Sequence, residues 1–353
     1  MARVPSRRVL VIMTGLSSYQ IPLLEGIRTV LLERGYSVVV HLHDLSSAEL
    51  PWQLRCLLTH GRPAGVIASG CVTAAQDEQV RRLVTEHGIP TVHLGKDLPG
   101  ETCVRGDNVQ GMAALMAHLL DEHGARRPAF IRGTAHQPDH RDRERVFREE
   151  LARRGLPVDE ELVIEGGLHQ TPRVRALRAL LSARPDLDAL VASDDIAAIF
   201  AVDILAELGW QVPRDIAVTG FDNHPSATLT WPAITSVDQN LVLQGTTAAT
   251  ALLYLMTGAA PGEHHYVPCR VVVRGSTRRQ DTLTTDDGLG VESVARLAQQ
   301  HLSEQNNLMR LSRSLIDCRT PEDIRATLAD ELGPLGIRRC FLALRQDALH
   351  GDP

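Results

Sequence analysis

The chain has 353 residues, 43% of them apolar and 23% charged. At roughly 150 residues per domain this means two domains, or one two-lobed body with an appendage, and the composition excludes wholesale disorder and a collagen-like fibre. The 37 basic residues against 43 acidic ones give a formal charge of −6, which argues against a chain built mainly to coat nucleic acid and leaves only a local basic patch open.

Lys96 is the single lysine among the 37 basic residues, a skew that removes most lysine chemistry. The cysteines Cys56, Cys71, Cys103, Cys269, Cys318 and Cys340 are scattered, with no C-x-x-C pair, so a reducing compartment is expected. Val9 to Thr14 follows Arg7 and Arg8 like a signal core, but Ser17-Ser18-Tyr19-Gln20 offers no cleavage site. No segment approaches ~20 uninterrupted apolar residues. A soluble, cytoplasmic protein is expected.

In chain order, Val9 to Met13 reads as a strand buried on both faces. Pro22 then suits a first helical turn, and Leu23, Leu24, Ile27, Val30 and Leu31 fall at helical spacing up to Gly35. Strands follow at Ser37 to His41, Gly65 to Ser69 and Pro90 to Leu94, with a helix over Gln76 to Glu86 before Gly88. Cys103 to Arg105 is a strand, Gly111 to Glu122 a helix and Pro128 to Ile131 a strand. The second half repeats the grammar: helix Asp142 to Arg153, strand Leu162 to Glu165, helix Arg173 to Ala183, strand Ala189 to Ala192, helix Ile196 to Leu208 and strand Ile216 to Gly220. Such alternation predicts an α/β fold of two doubly wound parallel-sheet lobes, with ligands beyond the carboxyl ends of the strands.

Near residue 280 the pattern changes. Arg278 to Gly288 is a polar linker, and Val294, Leu297, His301, Glu304, Leu308, Leu311 and Leu315 then follow 3-4 spacing. Residues 281–316 are thus a linker and helix, either a dimeric coiled coil or a solvent-facing packing helix. Pro321 opens another helix through Leu332, and Cys340 to Leu344 is strand-like. One helix and one strand cannot close a core, so 317–353 reads as the beginning of a domain.

Several chemistries lack their residues. The loop Thr14 to Tyr19 carries no G-x-G-x-x-G, no lysine stands in a Walker position, and Gly65 to Gly70 has the wrong spacing for a nucleophile elbow. Possible metal pairs are His41 with His43, His136 with Asp139 and His140, and His264 with His265. Plain surface or hydrogen-bonded histidines are the better reading of each, and neither a metal nor a cofactor is expected.

Charged residues at strand-to-loop junctions say more. Asp107, Asp194 with Asp195, and Asp222 each follow a strand, and Arg141, Arg143 and Arg145 open the helix after Ile131. Gathered at one end of parallel sheets, these groups can hold hydroxyl-rich or amine-bearing ligands. The competing reading is that each acid caps the helix behind it, as Asp194 before Ile196 can.

The stretch Val212-Pro213-Arg214-Asp215-Ile216-Ala217-Val218-Thr219-Gly220-Phe221-Asp222-Asn223, continued by Pro232-Ala233-Ile234-Thr235-Ser236-Val237-Asp238-Gln239, resembles a run of the LacI/GalR-type regulators. Gly106 to Gly111, Val191 to Ala197 and Pro268 to Thr277 are similar to further motifs of that family, so the resemblance covers residues 8–280. It implies the type I periplasmic-binding-protein fold: lobe 1 about 8–105 plus 239–268, lobe 2 about 106–238 plus 269–280. The crossovers would lie near 105–125, 238 and 268. It places Ser17, Ser18, Tyr19, Asp107, Arg143, Ser193, Asp194 and Asp222 at the effector, with no catalytic residue. Ser193 stands where the family has asparagine, Leu168 where an aromatic platform is expected, and Gly275 where it has glutamate.

Only seven residues precede residue 8, where the resemblance begins, so DNA binding by this chain alone is not expected. Residues 317–353 resemble the start of a GAF-type sensory domain, behind a signalling helix. The expectation is a sensor, not an enzyme, that binds a small polar effector, forms a homodimer, touches no membrane and passes lobe closure to an output module. Two alternatives stay open: a LacI-family regulator acting on DNA directly or through a partner, and an enzyme using Asp107, Asp194 and Asp222 in an acidic cleft.

Overall fold

The computed structural model describes residues 7–42, 49–69, 74–133, 137–166, 171–277 and 320–331. The chain divides into two units, Met1–Leu283 and Thr284–Pro353.

In the first unit, β1 (Arg8–Met13), α1 (Gln20–Glu33), β2 (Ser37–Leu42), α2 (Trp52–Thr59), β3 (Gly65–Ser69), α3 (Ala74–Glu86), β4 (Thr91–Leu94) and β5 (Thr102–Gly106) come first. Next are α4 (Asn108–Ala117), running on as a π-helical turn His118–His123, then β6 (Pro128–Arg132), α5 (Pro138–Arg153), β7 (Val163–Glu165), α6 (Thr171–Ala183), β8 (Ala189–Ala192), α7 (Asp195–Glu207) and β9 (Ala217–Thr219). The last elements of this unit are β10 (Ser236–Asp238), α8 (Leu241–Met256), β11 (His264–Val267) and β12 (Arg270–Val272).

Two parallel sheets result, ordered β11-β5-β4-β3-β1-β2 and β7-β6-β8-β9, with β10 and β12 pairing antiparallel between crossings. The apolar runs explain them, because successive side chains of a strand face opposite layers. Val9, Val11 and Met13 pack on α1 and α8 through Leu23, Ile27, Leu31, Ala248 and Leu252. Leu10 and Ile12 face the other way, onto Leu54 and Leu58 of α2 and Val80 and Val84 of α3. In lobe 2, Ala129 and Ile131 of β6 meet Leu177, Leu181, Ala201 and Leu205 of α6 and α7. Phe130 between them meets Leu115 of α4, Leu119 of the π-helical turn and Phe147 and Leu151 of α5. Each such large side chain contributes about 1.5–3 kcal/mol on full burial.

The chain crosses between lobes three times, at Gly106 to Asn108, Asp238 to Leu241 and Val267 to Arg270. The crossings are laced together. Asp107 N donates to Val267 O at 2.7 Å, Asn240 Nδ2 to Pro268 O at 2.6 Å, and Cys269 N to Gln110 Oε1 at 2.9 Å. A Cβ on Gly106 would stand 2.8 Å from Gln239 Oε1, so the first two crossings touch through a glycine.

The structure differs from the sequence expectation at particular places. Helix α5 begins at Pro138, not Asp142, because proline fits the first helical position where its missing N–H costs nothing. Asp139 and His140 thus lie on the first turn of the helix and not ahead of it. Helices α2 and α8 had not been foreseen. Of the C-terminal unit, α9 (Pro321–Glu331) is described; the heptad-like stretch and the strand-like Cys340 to Leu344 lie outside the described residues. Among those residues no helix is long and apolar enough to cross a membrane.

Candidate functional site

A cavity of about 290 Å³ opens where the strand ends of both sheets face each other. Lobe 1 supplies Tyr19, Gln20 and Leu23 from the start of α1, with Ser69 and Leu94 from the ends of β3 and β4. Lobe 2 supplies Asp139, His140 and Arg143 from the first turns of α5, and Asp222 from the loop after β9. Gln239 and Gln244 come from the second crossing. The α5 side chains meet there because residues three and four apart share one helix face.

Arg143 anchors the floor and is only 2% exposed. Its Nε donates to Asn108 Oδ1 at 2.8 Å and its Nη1 to Ser193 O at 2.6 Å. Its Nη2 lies 3.1 Å from Asp222 Oδ1, and the guanidinium carbon stands 3.8 Å over the centre of the Phe221 ring. Three charge-assisted bonds and a cation–π contact fix this cation in place.

Asp222 adopts φ 102, a conformation uncommon outside glycine. This turn aims its carboxylate at Arg143, and Gln239 Nε2 donates to the same Oδ1 at 2.7 Å. Burial raises its carboxyl to about 6, against the opposing pull of the Arg143 charge. Behind it Asp195 is 1% exposed. Its Oδ1 accepts from Ser236 Oγ at 2.7 Å and its Oδ2 from the His224 N–H at 2.6 Å. Burial first, and the neighbouring Asp222 second, push its carboxyl up to about 8. A Cβ on Gly220 would overlap the Asp195 carboxylate, so that wall needs a glycine.

Of the residues expected at the effector, Tyr19, Arg143 and Asp222 line the cavity. Ser18 stands between the lobes, its Oγ 2.7 Å from Nε2 of His224, and Ser17 bonds Gln20 beside the cleft. Ser193 lies beneath the surface, fully buried, with its carbonyl on Arg143 and its Oγ 2.5 Å from His140 Nδ1. Asp107 and Asp194 cap helices: Asp107 accepts from Gln110 N at 2.9 Å at the start of α4, and Asp194 from Ala197 N at 2.8 Å at the start of α7. Leu168, His43 and His136 lie outside the described residues. Among the described residues no group of three or more His, Cys, Asp or Glu side chains is placed to hold a metal ion.

Sequence reading gave no role to the neutral lining groups Gln20, Ser69, Gln137, Gln239 and Gln244. Amides carry no charge to interrupt an apolar run. Their signal was position, since each stands at a strand end, a crossing or a first helical turn.

The profile of the periplasmic binding protein-like domain matches residues 117–277. The HTH-type transcriptional regulator CelR of Thermobifida fusca is 31% identical over 243 residues, 66% of this chain and 68% of that protein. The HTH-type transcriptional repressor PurR of Erwinia tasmaniensis is 26% identical over 242 residues, 68% of this chain and 70% of the repressor. Among solved structures, a CelR-cellobiose complex aligns with TM-score 0.67 at 27% identity, over 77% of this chain and 85% of that one. The transcription regulator GntR from Chromobacterium violaceum aligns with TM-score 0.65 at 28% identity, over 76% and 99%.

Proposed function

The chain belongs to the LacI family, whose regulators carry a type I periplasmic-binding-protein-like domain, and from that premise we propose that it senses a small hydroxyl-rich effector in the cleft between its lobes. The observation that carries this reading is the buried Arg143, held by Asn108, Ser193 and Asp222 at the cavity floor. A guanidinium has five N–H donors, and three are engaged in these bonds, which leaves two for ligand oxygens. Around it, the Asp222 carboxylate and the amides of Gln20, Gln137, Gln239 and Gln244 supply both donors and acceptors. That mixture suits neighbouring hydroxyls, each of which donates and accepts. A cavity of about 290 Å³ lies at the lower end of small-molecule sites, which run about 300–1,000 Å³. The effector class is therefore a sugar, a polyol or a nucleoside, with sugars favoured by the relative solved with cellobiose. Closure over the effector would pass through the three crossings and, by way of residues 281–316, to an output in a homodimer.

Calorimetric titration of sugars, polyols, nucleosides and amino acids tests the site. One hydroxyl-rich class binds reversibly, and Arg143→Ala weakens it by about tenfold or more, since a hydrogen bond to a charged group is worth about 1.5–3 kcal/mol. Absence of binding across the panel, or an unchanged affinity in the variant, overturns the assignment. A second reading, regulation by direct contact with DNA, is favoured by the names of the relatives. Retention of the chain on DNA that falls steeply with salt would carry that reading, because phosphate contacts release counterions.

A further inference from the structure

A cluster of charges beside the cavity, which shares Asp139 with the cavity lining, ties the lobes to each other. Arg105, at the end of β5 in the lobe 1 sheet, is 4% exposed. Its Nη1 donates to Asp97 Oδ2 at 2.5 Å, on the loop after β4 of the same lobe. Its Nη2 lies 2.7 Å from both Asp139 Oδ1 and Asp142 Oδ2. Those two carboxylates belong to the start of α5, in lobe 2. One buried guanidinium thus hydrogen-bonds carboxylates of both lobes, Asp97 and Asp142, and stands in ion-pair contact with a third, Asp139.

The same turns of α5 carry Asp139, His140 and Arg143 into the cavity. Whatever holds the start of α5 against lobe 1 also sets the width of the cleft. We propose that Arg105 is a positioning residue that latches the lobes together, drawing the α5 N-terminus onto lobe 1 and biasing the cleft toward closure. With the guanidinium removed, Asp97 faces Asp139 and Asp142 as like charges, and moving the lobes apart relieves their repulsion. An ammonium does not replace it, because only the planar fork can present donors to both lobes at once. The inference deepens the sensing proposal by naming what favours the closed arrangement, yet its measurement needs no effector.

The measurement is the distance between spin labels in the full, ligand-free chain. Labels are carried by ketone-bearing residues introduced at Glu33 of α1 and Ala179 of α6, both exposed, so that the six native cysteines stay untouched. The expected result for Arg105→Gln is a distance distribution broadened and shifted to longer distances than that of the native chain, as hinge opening requires. Asp139→Asn combined with Asp142→Asn, which removes the lobe 2 side of the latch, gives the same change and carries the test if the arginine variant fails to fold. Asp97→Asn leaves the pairs between lobes in place and keeps the native distance. An unchanged distance in both the arginine variant and the double variant overturns the proposal. So does an Asp97→Asn distance as long as theirs, which would mark Arg105 as a support within lobe 1 alone. Failure of every candidate effector to bind would leave these distances, and this inference, standing.

Discussion

Asp195 and Asp222 stand side by side in lobe 2 at different depths, and the difference predicts how the protein answers pH. Burial raises both carboxyls, Asp195 to about 8 and Asp222 to about 6. Between an unfolded value of about 4 and those folded values, the native state holds protons that the unfolded chain has released. Stability therefore falls as pH climbs through the window, by up to about 1.4 kcal/mol per pH unit for each group, and returns on acidification. From pH 7 to 8, where Asp222 has released its proton and His93, which burial lowers to about 4, is neutral both folded and unfolded, the slope belongs to Asp195. Asp195→Asn keeps the shape and can still meet Ser236 and the His224 N–H, so urea denaturation at pH 7 and pH 8 should give nearly equal stabilities in the variant and a clear loss at pH 8 in the native chain. Equal slopes in both would remove Asp195 as the cause. The charged members of this wall could be read from sequence because an acid after an apolar strand stands out. Asp195 drew notice only beside Asp194, and its two roles differ in the fold: Asp194 caps a helix while Asp195 turns inward. Nothing in their order along the chain distinguishes them; the strand-to-helix turn does.

At the scale of elements, the strands were legible where the chain is apolar without interruption, as in Val9 to Met13 and Ala189 to Ala192, because both faces of a parallel strand are covered. Helix α8 was not. Its sequence, Leu241 to Met256, is apolar and small around much of its circumference, and its start at Asn240 sits in the left-handed region with no side-chain cap. With neither a polar face nor a capping residue, helical periodicity has no contrast to display. What α8 has is glycine at its contact with α1. A Cβ at Gly245 would overlap the Leu23 carbonyl oxygen, and one at Gly26 the Val242 carbonyl oxygen, so the two helices cross backbone to backbone. Alanine in an exposed helix interior gains about 1 kcal/mol over glycine. Here it must push the helices apart, and overpacking of this kind costs about 1–3 kcal/mol or more. Gly245→Ala should lower the urea midpoint of the chain, and Gly26→Ala with Gly245→Ala should lower it further but by less than the sum, because one shift of the helices relieves both contacts. A raised midpoint would mean that the crossing yields freely.

For the whole molecule, the two-lobed body requires only part of the chain. Every lining residue of the cleft falls between Tyr19 and Gln244, and the last strand of the first unit, β12, ends at Val272. The chain beyond it still works for lobe 2: Ser276 Oγ donates to Val218 O at 2.6 Å and accepts from Thr235 N at 2.8 Å, and the Thr277 hydroxyl stands 2.9 Å from His118 Nε2. Residues 276 and 277 thus tie β9, the approach to β10 and the π-helical turn after α4 to one another. Contacts then divide the chain after Leu283. A chain ending at Leu283 should accordingly unfold in one cooperative transition and bind its effector as the full chain does, within about twofold, since no cleft group has been removed. A chain ending at Arg274 should lose several buried hydrogen bonds at once, at about 1–3 kcal/mol for each buried group left without its partner. Calorimetric unfolding and effector titration of the two truncated chains separate the cases. If the chain ending at Leu283 lost binding while keeping its transition, residues 284–353 would have to set the width of the cleft from outside the first unit, and the sensing body would be larger than its own sheets and crossings.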